Sequence, residues 1–331
     1  MSSIANDVLD QNKILELANG FQVSRIILTA LELNVFTILD KRLLPSSETA
    51  KQINCDEHAA ERLLNALVSL GFLKKLHGKF YNTDAASLHL VKGSPDFLGG
   101  LFHTNELWNS WGTLTNAVKK GASFCQNDDL NNNCTDMFIY ATHSRAVKEA
   151  KILAMLLNLT SAKIMLDVGG GSGVYSMRMI EHNPELNAVI FDLPNVIPLT
   201  KNYVDSFSLK EKINYIEGNY LTDDFESSYD LILLSDVVHI NNYEQNLNLI
   251  KKCERALNRG GQIVIKDWVM NENRTDPLGG ALFALNLLVS TKCGDTYTEK
   301  EIRDWFANAG FSKIERINSS YGWALMIGTK N

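Results

Sequence analysis

No two cysteines in the chain are spaced as Cys-x-x-Cys, and none of the seven histidines stands in a His-x-x-x-His or His-Glu-x-x-His arrangement. These absences speak against a structural zinc site or a zinc-dependent hydrolase, and no metal is expected. The five cysteines (Cys55, Cys125, Cys134, Cys253 and Cys293) are odd in number and irregularly placed. They fit reduced thiols in a cytoplasmic protein better than a disulfide framework. Basic excess is lacking too. The net charge is −6, which disfavours nucleic acid and anionic membrane as partners, since both select basic faces. Long hydrophobic runs are also missing. The longest nearly apolar stretch, residues 278–289, falls short of the ~20 residues that span a bilayer and reads as a core helix. The amino terminus carries Asp7, Asp10 and Glu16 among its apolar residues, unlike a secretory signal.

What is present is an ordinary folded composition. The 331 residues are 45% hydrophobic and 21% charged, which suits two domains with sizeable cores. The first is expected over residues 1–121 and is mostly helical. Ile26, Ile27, Ala30, Leu31 and Val35 repeat at helical spacing. Capping residues Ser46-Ser47-Glu48-Thr49 open a short helix, and Asp56-Glu57-His58 open a second that stops at Gly71. Residues 72–81 then alternate about a His77-Gly78 turn, as a β-hairpin does. Two helices and a hairpin make a winged helix, which leaves two uses open. A DNA reader would offer Arg62 and Asn65, but Asp56, Glu57 and Glu61 crowd the same helix. The acids favour a dimerisation or lid module.

A polar stretch, residues 127–133, lies in a connector expected over 122–160. From residue 161 to 331 the pattern changes. Short β-rich runs at 164–168, 188–191, 213–217, 231–234 and 262–266 alternate with segments of helical length, as in a mostly parallel α/β sheet. Two further runs, 314–318 and 323–329, are joined so tightly that they must pair antiparallel.

The chemical signal begins at Met165-Leu166-Asp167-Val168-Gly169-Gly170-Gly171-Ser172-Gly173, between a strand and a helix. Glycines at a first strand-to-helix turn let backbone amides approach a nucleotide-like ligand. A dinucleotide turn of the form Gly-x-Gly-x-x-Gly would place glycine where Val174 stands. Asp192 ends the next strand, where a carboxylate can accept from both hydroxyls of an adenosine ribose.

Residues 165–331 closely resemble the small-molecule O-methyltransferases related to caffeate, flavonoid and acetylserotonin methyltransferases and their bacterial relatives. The glycine motif is nearly that family's own. Phe191-Asp192-Leu193-Pro194-Asn195-Val196, Glu217-Gly218-Asn219-Tyr220 and Val238-His239 follow in the family's order. The helical first part is similar to its dimerisation domain. The resemblance implies a Rossmann-like class I methyltransferase domain with an antiparallel carboxyl-terminal strand, preceded by a winged-helix dimerisation domain. It also implies S-adenosylmethionine as cofactor and a homodimer. Gly169, Gly170 and Gly171 would then support the methionine end, Asp192 the ribose, and Asn219 and Tyr220 the adenine. Asn219 departs from the family's aspartate, though its amide oxygen can still accept. Ser235 stands where plant members often carry lysine.

The resemblance makes His239 the general base and Asp267 its orienter, with Asp236 a weaker candidate for the orienting part. A sulfonium methyl is already activated, so an enzyme must align the acceptor oxygen and remove its proton. Histidine suits that near neutral pH. A phenolic or enolic hydroxyl on a small, aromatic molecule is the expected acceptor. Phe283 and Asn286 on the 281–290 helix, His143 on the connecting helix, and Trp108 among the aromatics of a lid region are the candidate substrate contacts. Alternatives left standing are an N- or C-methyltransferase, an enzyme using the bound cofactor without methyl transfer, an NAD-dependent oxidoreductase and a winged-helix regulator.

Overall fold

The computed structural model describes residues 9–121, 123, 132–226 and 228–331. Cys125 and residues 127–131 of the polar stretch lie outside these. The chain divides into two compact units, Met1–Glu106 and Leu107–Asn331.

The first unit opens with α1 (Gln11–Glu32), capped by Asp10, whose side chain accepts from the Lys13 amide. Helix α2 (Val35–Ile38), strand β1 (Leu44–Pro45), α3 (Ser46–Gln52), α4 (Glu57–Ser69), β2 (Leu73–Leu76), β3 (Lys79–Asn82) and α5 (Asp84–His89) follow. The expected hairpin forms, with Leu76 opposite Lys79 across His77-Gly78, and β1 adds a third antiparallel strand. Asp56 caps α4 by accepting from the Ala59 amide at 2.8 Å, a contact that contributes about 1 kcal/mol. Leu31, Phe36, Leu39, Leu64, Leu67 and Phe80 form the core. Phe102 packs against this core, its ring and that of Phe97 meeting edge to face.

Helix α1 is 22 residues long with a mean hydropathy of 1.2 over its most apolar window, long and apolar enough by length and composition to cross a membrane. Lys13–Glu16 and Arg25–Glu32 ion pairs interrupt its apolar character. Ile14, Leu15, Leu17, Phe21 and Val23 on it are exposed.

Helix α6 (Gly100–Gly112) carries the boundary between the units. In the second unit, α7 (Leu114–Lys120) and α8 (Asn132–Leu156) precede β4 (Ile164–Val168), α9 (Val174–His182), β5 (Asn187–Asp192), α10 (Ile197–Asp205), β6 (Ile213–Glu217) and β7 (Tyr229–Ser235). After these come α11 (Tyr243–Ala256), β8 (Leu257–Asp267), β9 (Val269–Met270), α12 (Leu278–Ser290), β10 (Tyr297–Thr298), α13 (Glu299–Ala309), β11 (Phe311–Asn318) and β12 (Ala324–Lys330). The main sheet has the order β11-β12-β8-β7-β4-β5-β6. Strands β4 to β8 pair in parallel, while β12 lies antiparallel to both β8 and β11.

Both faces of the sheet are covered, so its strands read as continuous apolar runs. Leu231, Leu233 and Val264 point to one core with Met165 and Met177, and Ile232, Leu234 and Ile265 to the other with Trp305 and Phe306. Chain order reverses between β4 and β7. In open α/β sheets, ligands bind at the carboxyl edge beside such a switch.

Candidate active site

The carboxyl ends of β4, β5 and β6 bring three of the sequence motifs together. After Val168 the chain turns through Gly169, and the Gly169 amide donates to Phe191 O at 2.8 Å. Gly171 adopts φ +56°, a left-handed conformation that side chains disfavour. This aims its N–H at Asp192 Oδ2, 2.8 Å away. Gly173 (φ +74°) caps α9, and a Cβ there would stand 2.8 Å from the Ile190 side chain. Asp192 Oδ1 accepts from the Leu193 amide at 2.7 Å. Burial nevertheless pushes its proton affinity above the usual carboxylate range, against those two bonds. Beneath the turn, buried Asp167 accepts from Ser176 Oγ at 2.7 Å. Its pKa is pushed up to about 6 by burial, with the nearby Asp192 charge adding to it.

The third motif sits next to the second, since the Gly218 amide donates to Asp192 O at 2.9 Å. Asn219 Oδ1 accepts from the Leu221 amide at 2.9 Å, so one of its two lone pairs is already used in a local turn. The Tyr220 hydroxyl donates to Asn241 Oδ1 at 3.3 Å.

On the other side of the switch, β7 ends at Ser235 and a short 3-10 turn, Val238–Ile240, presents His239. His239 is buried at 8% exposure, and its Nδ1 stands 2.9 Å from both carboxylate oxygens of Asp267, at the end of β8. Burial disfavours the imidazolium, but the Asp267 and Asp236 carboxylates outweigh it and hold the ring's proton affinity above its ordinary value. The Phe283 ring meets the His239 ring at a right angle, centroids 4.9 Å apart. Asn286, on the same helix, accepts from the Trp111 indole at 2.9 Å. Trp108 is half-buried one turn earlier on α6.

His143 belongs elsewhere. Its Nδ1 is 2.8 Å from Ser172 Oγ in the glycine turn, and its ring stacks on Tyr203 at 4.3 Å. Burial and then Arg178 lower its proton affinity. Ser235 is buried, with its hydroxyl 3.5 Å from Asp236 Oδ2. Asp295 touches His239 through backbone only, its amide donating to His239 O at 3.0 Å.

Sequence reasoning missed Lys266 and Glu149. Lys266 Nζ lies 2.8 Å from Asp236 Oδ2 and 2.7 Å from Glu149 Oε2. The signal was available as a lysine ending the apolar run Ile263-Val264-Ile265. Asp236, His239 and Asp267 offer ligand atoms within 4.8 Å of one another. The ammonium already balances Asp236 there, so the donor set does not call for a metal ion.

A parallel sheet closed by an antiparallel strand beside β8, with its polar groups gathered about the β4–β7 switch, is the architecture of the class I methyltransferases. The chain belongs to the O-methyltransferase family, whose O-methyltransferase domain model matches residues 120–312 and whose dimerisation domain model matches residues 15–92. The winged helix therefore falls within a dimerisation domain. Arg62 and Asn65 are engaged within it, by His58 and Lys75 respectively.

The chain is 28% identical over 310 residues to the 3-hydroxy-5-methyl-1-naphthoate 3-O-methyltransferase of Streptomyces sahachiroi, covering 91% of this chain and 90% of that one. The structure of Serratia PigF with S-adenosylhomocysteine has a TM-score of 0.91 at 25% identity, covering 97% of this chain and 100% of that one. Human N-acetylserotonin methyltransferase in complex with S-adenosylmethionine gives 0.86 at 25% identity, with 100% of both chains covered.

Proposed function

We propose that this O-methyltransferase family member binds S-adenosylmethionine at the β4–β5–β6 edge and methylates a phenolic or enolic hydroxyl of a small aromatic molecule, with His239 as general base. One observation carries the reading: His239 Nδ1 faces the Asp267 carboxylate at 2.9 Å, which leaves Nε2 as the acceptor of a proton. The cofactor assignment draws on the relatives, and the donor set of this chain fits it. Asp192 retains lone pairs for ribose hydroxyls, and the left-handed Gly171 keeps side chains out of the turn.

When bound, S-adenosylmethionine supplies a methyl group made electrophilic by its sulfonium. His239 Nε2 would take the acceptor's hydroxyl proton as that oxygen gains the methyl group. Asp267 holds the ring in the Nδ1–H tautomer and stabilises the imidazolium that results. Phe283, edge-on to that ring, is a wall against which a flat acceptor can lie. Asn286 and Trp111 join the same helix to α6, and His143 supports the glycine turn. The exposed apolar residues of α1 are the face for a second copy of this chain.

The test is transfer of labelled methyl from S-adenosylmethionine to a panel of hydroxynaphthoates and other phenols. The reading expects an O-methylated product with the wild type and a loss of at least ~100-fold with His239→Ala. Label on nitrogen or carbon, or equal rates for the two proteins, would overturn it.

A further inference from the structure

Strand β8 crosses the core as Ile263, Val264 and Ile265 and then places Lys266 at 2% exposure. A buried ammonium persists only where it is paired. Lys266 is paired twice, with Glu149 of α8 and with Asp236 just past β7. Its Nζ also stands 5.6 Å and 5.5 Å from the ring centres of Tyr175 and Trp323. The Tyr175 hydroxyl donates to the same Glu149 oxygen at 3.3 Å. Asp236 is tied to Lys266 through the backbone as well, since its amide donates to Lys266 O at 3.0 Å. Its φ of +58° is one a non-glycine residue adopts only where its surroundings impose it.

Asp236 faces His239. The charged groups around that ring are Asp267 from β8, Asp236 from the end of β7 and Arg145 from α8. Helix α12 presents Phe283 and carries no titratable residue. The 293–295 segment meets the turn through the Asp295 amide and through Cys293 Sγ, 3.8 Å from Ile240 O. The Asp295 carboxylate is turned to Arg274 at 3.4 Å. Asp236 is thus the second carboxylate acting on His239, and Lys266 is the cation bonded to it.

We propose that Lys266 is a positioning residue for proton removal: clamped between Glu149 and Asp236, its ammonium balances the Asp236 carboxylate, so that His239 answers to Asp267. The proposal rests on His239 being the base. It assigns the Lys266–Glu149 pair a function in the reaction that is exerted through Asp236.

The test is an NMR titration of the His239 ring in the full-length protein, its signal identified by loss in His239→Ala. Asp236→Asn should lower the titration midpoint by about one unit, and the charge-neutral swap Glu149→Gln with Lys266→Met should raise it by about one unit. Asp236→Asn with Lys266→Met should return it close to wild type. If the Glu149/Lys266 swap does not fold, the contrast between Asp236→Asn alone and with Lys266→Met carries the test. A Glu149/Lys266 swap that titrates like wild type, or an Asp236/Lys266 double variant that titrates like Asp236→Asn, overturns the proposal. The acid limb of kcat/KM is read on the same variants. Ring shifts that the limb does not follow would remove His239 as base, and with it the part of Lys266 in proton removal, leaving only the effect of Lys266 on the ring. A limb abolished in His239→Ala with no ring shifts would remove only the Lys266 assignment.

Discussion

At the β4–β5 side of the carboxyl edge, the polar groups are backbone amides in a glycine turn, steered by one carboxylate, Asp192. At the β7–β8 side they are titratable side chains paired across three elements: His239 with Asp267, and Lys266 with Asp236 and Glu149. The difference suits the two proposed tasks. A cofactor that enters and leaves in each cycle needs a fixed surface, which amides at a helix start supply without changing state. A base must change state, so its proton affinity has to be set by nearby charges. Backbone cannot be tuned residue by residue, whereas ion pairs can. Each side should therefore fail in its own way when changed.

The largest expected effect separates the two sides. His239→Ala should cut turnover by ~10²- to 10⁴-fold while S-adenosylhomocysteine binds as to wild type, which calorimetry checks. Next comes Asp267→Asn. It should lower turnover by less than His239→Ala and move the acid limb of kcat/KM down by about one unit. The sign follows because the carboxylate favours the imidazolium, so its loss lets the ring become neutral at lower pH. In the wild type the limb should lie above the ordinary histidine value, with activity rising as pH rises through it.

On the cofactor side, Asp192→Ala should weaken S-adenosylhomocysteine ~10- to 100-fold, the value of hydrogen bonds to a charged group, with turnover at saturating cofactor changed far less. The smallest effect is Gly171→Ala. A side chain at φ +56° costs about 1 kcal/mol and should weaken cofactor binding several-fold with no change in the acid limb. A limb that moved with Gly171→Ala would break the separation.

The two sides also differed in how far they could be read in advance. Glycines at a strand-to-helix turn and an acid ending the next strand are local patterns, and the strands at 164–168 and 213–217 lie where spacing placed them. His239 and Asp267 are 28 residues apart and became a pair only through the family's order of motifs. Lys266 and Glu149 are separated by 117 residues, on a strand and a helix that no short-range pattern joins. The partner of a buried charge depends on tertiary packing, and one sequence does not state it. His143 illustrates the same limit, since helical phase could not say that its ring meets Ser172 of the glycine turn.

The most direct single measurement is a calorimetric titration of S-adenosylhomocysteine into wild type, His239→Ala and Asp192→Ala. The account predicts equal affinity for the first two and a loss of at least ~10-fold for the third. Undiminished binding by Asp192→Ala, or binding lost with His239→Ala, would contradict the assignment of one side of the edge to the cofactor and the other to the proton.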